Sequence, residues 1–126
     1  MSDSTPAAVL IVDDEALIRM DLVDRLQGQG FRTYEADHAA EAISMLEAHE
    51  DIRVVFTDIQ MPGGMDGVAL AHYVRKRWPP TILVVCSGNK QPDQSMLPTA
   101  CSFMPKPFES RALGSLIASV REQLVQ

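Results

Sequence analysis

Four short apolar runs, each delivering polar residues at its end, constrain this chain more than any other feature. Val9-Leu10-Ile11-Val12 runs into Asp13-Asp14, and Val54-Val55-Phe56-Thr57 into Asp58. Ile82-Leu83-Val84-Val85-Cys86 ends at Ser87, and Phe103-Met104-Pro105 leads to Lys106. Runs of this length without clean alternation are expected of parallel strands covered on both faces. In an open parallel sheet, ligands bind in the crevice beyond the carboxyl ends of the strands. Three carboxylates, a hydroxyl and an ammonium are therefore expected at one edge, a set suited to a divalent cation and a phosphoryl group.

The segments between these runs read as helices. Glu15 to Gln27 carries Leu17, Ile18, Leu22 and Leu26 at helical spacing, and Gly28 and Gly30 supply a stop. Phe31 to Ala36 mixes polar residues into a strand, as an edge position allows. Asp37 is placed as an N-cap, with Glu41 in the first turn of a helix reaching Ala48. Asp66 caps a helix running to Trp78, where Pro79-Pro80 ends it. Pro92 and Pro98 leave room for no more than a turn or two of helix between residues 88 and 99. The last helix, Glu109 to Val125, presents Leu113, Leu116, Ile117, Val120 and Leu124 on one face. Strands alternating with crossovers give a three-layer α/β/α sandwich around five parallel strands.

The 126 residues fit one domain, placed at 8–126 behind a flexible segment at 1–7. A net charge of -6 argues against a nucleic-acid partner, which calls for clustered Lys and Arg. The one basic knot, Arg75-Lys76-Arg77, reads as a solvated helix end. Cys86 and Cys101 read as reduced, buried thiols. His38, His49 and His72 have no ligand spacing and read as solvent-exposed. No apolar stretch approaches the roughly 18 residues of a membrane span, and Met1 to Ala8 has no signal-peptide pattern, so the expected location is the cytoplasm.

Two or three carboxylates packed together raise each other's pKa unless a cation screens them. Mg²⁺, or Mn²⁺ in its place, takes one or two carboxylates, keeps several waters and accepts phosphoryl oxygens. Lys106 then pairs with the phosphoryl oxygens or the free carboxylate, the Ser87 hydroxyl donates a hydrogen bond, and Asp58 serves as a carboxylate nucleophile.

Four motifs, in order and at strand ends, resemble the receiver domains of two-component response regulators over essentially the full length. They are Val12-Asp13-Asp14-Glu15, Asp58-Ile59-Gln60-Met61-Pro62 with Met65-Asp66-Gly67, Ser87-Gly88, and Lys106-Pro107-Phe108. The resemblance implies a flavodoxin-like fold with strand order 2-1-3-4-5. It implies that Asp58 takes phosphate from a phosphohistidine on a sensor histidine kinase or a histidine phosphotransfer protein. It further implies that Asp14, Asp58 and the Gln60 carbonyl hold Mg²⁺ with Asp13 joining through water, and that Lys106-Pro107 is cis. Ser87 and Phe103 are the implied switch pair. Gln60 and Asn89 are expected to set the lifetime of the acyl phosphate, and Glu15 and Ile18 to dock the phosphodonor partner.

Three departures from the family pattern stand out. The Pro62-Gly63-Gly64-Met65 stretch is one residue longer than usual, and the span from Ser87 to Lys106 is short, so the fourth helix is expected to be reduced or missing. No effector domain follows Val125, which leaves a stand-alone regulator or a fragment of a longer one, acting through an unknown downstream protein and not as an enzyme. A small metal-dependent phosphatase with an aspartyl-phosphate intermediate is the alternative, although it calls for an acid where Gln60 stands. A flavin or nucleotide carrier is disfavoured because Asp13-Asp14-Glu15 repels phosphate.

Overall fold

Three of the apolar runs become strands buried on both faces, whereas Phe103-Met104-Pro105 lies in a largely half-buried edge strand, and the interior divides in two. The computed structural model describes residues 7–88 and 92–125. The expected flexible segment at 1–7, apart from Ala7, and the candidate modulator Asn89 lie outside the described residues. The strands are β1 Ala8–Val12, β2 Arg32–Ala36, β3 Ile52–Asp58, β4 Ile82–Ser87 and β5 Cys101–Pro105. The helices are α1 Ala16–Gly28, α2 Ala39–Ala48, α3 Gly67–Arg77 and α4 Ser110–Leu124. The sheet is parallel in the order β2-β1-β3-β4-β5, a flavodoxin-like arrangement.

On one face, Leu10, Val12, Val55, Leu83 and Val85 pack with Ala42, Leu46, Leu70 and Val74 of α2 and α3. On the other, Val9, Ile11, Phe56, Val84 and Cys86 pack with Leu22 and Leu26 of α1 and Leu113, Ile117 and Val120 of α4. Alternate residues of one run thus enter different cores, which is why the sequence shows no polar alternation. β2 lies at an edge and carries exposed Arg32 and Glu35.

Local signals act close to where the sequence puts them. Gly30, two residues after α1, takes a positive φ of 92° that favours glycine. Asp66 caps α3, its Oδ1 accepting from the Ala69 N–H at 2.9 Å. The N-cap of α2 is His38 and not Asp37; the Glu41 carboxylate instead accepts the Asp37 backbone N–H at 2.9 Å, which holds Asp37 just outside the helix. His49 is half-buried and stacked on Tyr34 with ring centroids 4.2 Å apart, so it too departs from its exposed reading. The two cysteines are unpaired, Cys86 buried and Cys101 half-buried, and burial raises the Cys101 thiol pKa to about 11. No helix among the described residues is long and apolar enough to cross a membrane.

Between β4 and β5 the described residues form a single 3₁₀ turn, Gln94–Met96, in line with the prolines around it. A side chain of α3 organises this segment. Arg75 donates to the carbonyls of Thr99 at 3.0 Å, Thr81 at 2.6 Å, Ala100 at 3.3 Å and also Pro79. It is therefore not a solvated helix end: its guanidinium fork satisfies carbonyls that no helix ladder pairs. Ala100 has a φ of 58°, uncommon for a side chain with a Cβ, and its carbonyl is one of the four held. Arg75→Ala is expected to destabilise the fold by about 2 kcal/mol, since several hydrogen bonds from a charged donor vanish together. Urea denaturation measures this, and a loss within about 0.5 kcal/mol, typical of an ordinary surface change, would count against the role assigned to Arg75.

Candidate functional site

Backbone hydrogen bonds tie the carboxyl end of β1 to β2, of β3 to β4 and of β5 to β4. The Asp13 N–H donates to Ala36 O at 3.1 Å, Ile59 N–H to Cys86 O at 2.9 Å, and Lys106 N–H to Ser87 O at 2.9 Å. Asp58 is the last residue of β3, and Gly67 opens α3 directly against it. The Gly67 N–H donates to Ile59 O at 2.8 Å, and a Cβ on Gly67 would lie 1.9 Å from the Asp58 carbonyl oxygen. Only glycine fits this close approach of helix to strand end. The Lys106-Pro107 bond is cis, as the resemblance implies.

At this edge one ammonium faces several carboxylates. The Lys106 Nζ lies 2.9 Å from Asp13 Oδ2, 3.3 Å from Asp58 Oδ1 and 3.6 Å from Glu15 Oε1. The side chains of Lys106, Asp13 and Asp58 are only 8%, 6% and 7% exposed. Carboxylate oxygens of Asp13, Asp14 and Asp58 come within 4.8 Å of one another, with Asp14 exposed. Among the described residues, the three clustered acids are paired with the Lys106 ammonium alone, and the negative charge left over is relieved by a hard divalent cation. The donor set therefore fits Mg²⁺.

Burial pushes the Asp58 pKa above its usual value; the Lys106 charge opposes this, and the Asp13 charge adds to it. Burial by itself lowers the Lys106 pKa, but the hydrogen bond and charge of Asp13, with those of Asp58, outweigh it and raise the pKa. Lys106 thus remains an ammonium across the neutral range. Asp58 is a desolvated carboxylate, poorly stabilised until further positive charge arrives.

The remaining candidates fall into two groups. Gln60, Glu15 and Ile18 line an open crevice of about 960 Å³ together with Asp14, Asp58 and Lys106. Leu17 and Met20, on the neighbouring turns of α1, are 81% and 58% exposed. Ser87 is buried at the end of β4. Phe103 is half-buried in β5, paired in register with Val85, and packs against the core under α2 and α3. Sequence reasoning missed Arg19, which on an amphipathic helix reads as one more solvated residue. Its Nη1 donates to the Asp13 carbonyl at 2.7 Å, and its Nε pairs with Glu35 of β2 at 2.8 Å.

The family model for response regulator receiver domains matches residues 9–118, a span that includes all four strand-end motifs. The chain belongs to this family. Among curated relatives, this receiver domain is 36% identical over 115 residues to the response regulator protein FleR of Pseudomonas aeruginosa, covering 89% of the chain and 24% of FleR. It is 32% identical over 108 residues to the transcriptional regulatory protein PdtaR of Mycobacterium tuberculosis, covering 83% of the chain and 52% of PdtaR. The chain thus spans about a quarter and about half of these two relatives. A response regulator receiver protein from Sinorhizobium medicae superposes with a TM-score of 0.84 at 29% identity, covering 97% of each chain. The receiver domain of the hybrid histidine kinase CckA gives 0.75 at 27% identity, covering 94% of this chain and 99% of that one. Receiver domains are signalling modules of two-component systems that typically bind Mg²⁺ at an acidic pocket, and this chain has an acidic cluster.

Proposed function

We propose that this receiver domain accepts a phosphoryl group on Asp58 from a phosphohistidine of a sensor histidine kinase or a histidine phosphotransfer protein, and does so in the cytoplasm. The observation that carries the reading is the convergence of Asp58 with Asp13, Asp14 and Lys106 at one crevice. An Asp58 carboxylate oxygen attacks phosphorus in line, the P–N bond breaks, and the imidazole leaves with its electron pair. Asp14, Asp58 and the Gln60 carbonyl are the residues that would hold Mg²⁺, or Mn²⁺. When bound, the ion supplies charge neutralisation between the acids and the incoming phosphoryl oxygens. Asp13, whose carboxylate already accepts from Lys106 and from the Glu15 N–H, is better placed to act through water than as a direct ligand. Lys106 steadies the phosphoryl group by moving its ion pair from Asp58 to the new oxygens.

Ser87 and Phe103 form the switch in this reading. The hydroxyl turns toward the phosphoryl group and the ring moves inward, changing the surface that an unidentified downstream protein reads. Gln60 and Asn89 control water access to the acyl phosphate, and Glu15 and Ile18 contact the donor protein beside the crevice. Incubation with Mg²⁺ and acetyl phosphate or phosphoramidate, read by intact mass, is expected to show one added phosphoryl group that hydroxylamine removes. Excess chelator is expected to prevent the addition, whereas a hydroxylamine-resistant adduct would contradict an acyl phosphate. The decay rate of the labelled protein is expected to change when Gln60 is substituted.

A further inference from the structure

We infer that Arg19 is a positioning residue for the cation-binding acids, an inference that rests on the phosphoacceptor reading above. The Asp13 main chain is held on both sides, by the edge strand β2 at its N–H and by Arg19 of α1 at its carbonyl. Its N–H donates to Ala36 O at 3.1 Å. Its carbonyl accepts from Arg19 Nη1 at 2.7 Å, while Arg19 Nε is anchored on the Glu35 carboxylate at 2.8 Å. The Asp13 side chain is fixed as well, Oδ1 accepting from the Glu15 N–H at 2.9 Å and Oδ2 from Lys106 at 2.9 Å.

The grip falls where the chain leaves β1 and has not yet entered α1, the place at which two adjacent acids must both turn toward one crevice. In a continued strand Asp13 and Asp14 would face opposite sides of the sheet. With the Asp13 peptide held, the direction in which Asp14 leaves it is set. Arg19 itself is only 19% exposed, so its fork is confined and not free to wander in solvent. Its guanidinium also reaches across from α1 to β2, so the orientation of the acids depends on a residue pair that touches neither cation nor phosphate. Outer partners of this kind commonly govern metal affinity by 10- to 100-fold.

Charge and geometry make opposite predictions for one substitution, which gives the inference its test. Arg19→Met removes a positive charge close to the acids, and on charge alone it would tighten a divalent cation. Loss of positioning weakens it instead. Mn²⁺ titration of the unmodified chain, followed by the electron paramagnetic resonance of free Mn²⁺ and paralleled by calorimetry with Mg²⁺, is expected to show about tenfold weaker binding in Arg19→Met. Arg19→Lys keeps the charge but loses the two-sided fork and is expected to weaken binding about as much, with Glu35→Gln intermediate. Acetyl phosphate labelling of these variants is expected to recover toward the unsubstituted rate at saturating Mg²⁺, which a general loss of structure does not allow. Unchanged or tighter Mn²⁺ binding in Arg19→Met overturns the inference, as does an unsubstituted chain that binds no cation. If the unsubstituted chain binds Mn²⁺ but takes no phosphate, the function proposed for Asp58 fails while the positioning role of Arg19 is still read from the affinities. If Arg19→Met fails to fold, Glu35→Gln and Arg19→Lys decide the matter, and unchanged affinity in both overturns it.

Discussion

Asp58→Asn is expected to abolish labelling by acetyl phosphate while making the metal-free fold more stable, two effects of opposite sign from one substitution. The first follows because an amide is not a carboxylate nucleophile, and no other acid takes its place at the end of β3. The second follows from linkage. Burial holds the Asp58 pKa above its usual value of 3.8, so between the two values the folded chain binds more protons than the unfolded chain. The stability from this group is therefore complete below 3.8 and is lost as pH rises through the folded value. At neutral pH the ionised, desolvated carboxylate opposes folding, and the neutral amide removes that opposition. Thermal melts in chelator at pH 7 are expected to show a higher Tm for the variant, with the gap narrowing toward pH 4. Adding Mg²⁺ is expected to raise the Tm of the unsubstituted chain and to do little for the variant. A lower Tm for Asp58→Asn in chelator would show that the Lys106 ion pair outweighs desolvation at this residue.

Gly67→Ala carries the second large effect. The new Cβ would sit 1.9 Å from the Asp58 carbonyl oxygen, 2.7 Å from its carbonyl carbon and 2.8 Å from the Ile59 Cα. All three are main-chain atoms, so no rotamer change relieves the overlap. Either the first turn of α3 lifts away or the end of β3 shifts. Overpacking of this kind costs about 3 kcal/mol, against the roughly 0.5–1 kcal/mol by which alanine ordinarily exceeds glycine in a helix interior. The displacement falls on the reacting residue itself, and a shift near 1 Å at a reacting group reduces rates about 100-fold. Urea denaturation and the labelling rate at saturating Mg²⁺ measure the two effects. A variant as stable and as readily labelled as the unsubstituted chain would mean that the junction of α3 and β3 is softer than its geometry indicates.

Asp13, Asp14, Asp58 and Lys106 were legible in the sequence because each follows, or nearly follows, an apolar run whose burial dictates its place. Strand order entered through family resemblance, since periodicity by itself does not say which strands are neighbours. Arg19 and Arg75 were illegible for a common reason. Each sits on a helix at a position that periodicity assigns to solvent, and each instead bonds backbone carbonyls brought close only by the folded chain. A single charged letter carries no record of such partners. Gly67 was visible as part of a motif, but the need for it is a distance between two segments and not a property of either. The Asp37 cap differed for a local reason: Glu41 reaches the Asp37 N–H, leaving His38 as the last residue outside the helix.

The Arg75 fork bears on how receivers of this kind can be recombined. The crossover to β5 borrows its backbone partners from a residue more than 20 positions earlier. A chimera that transplants the β4–β5 segment into another scaffold therefore needs the host to offer an arginine at the matching turn of the preceding helix. Without it, the graft arrives with orphaned carbonyls at the entrance to the strand that ends at Lys106.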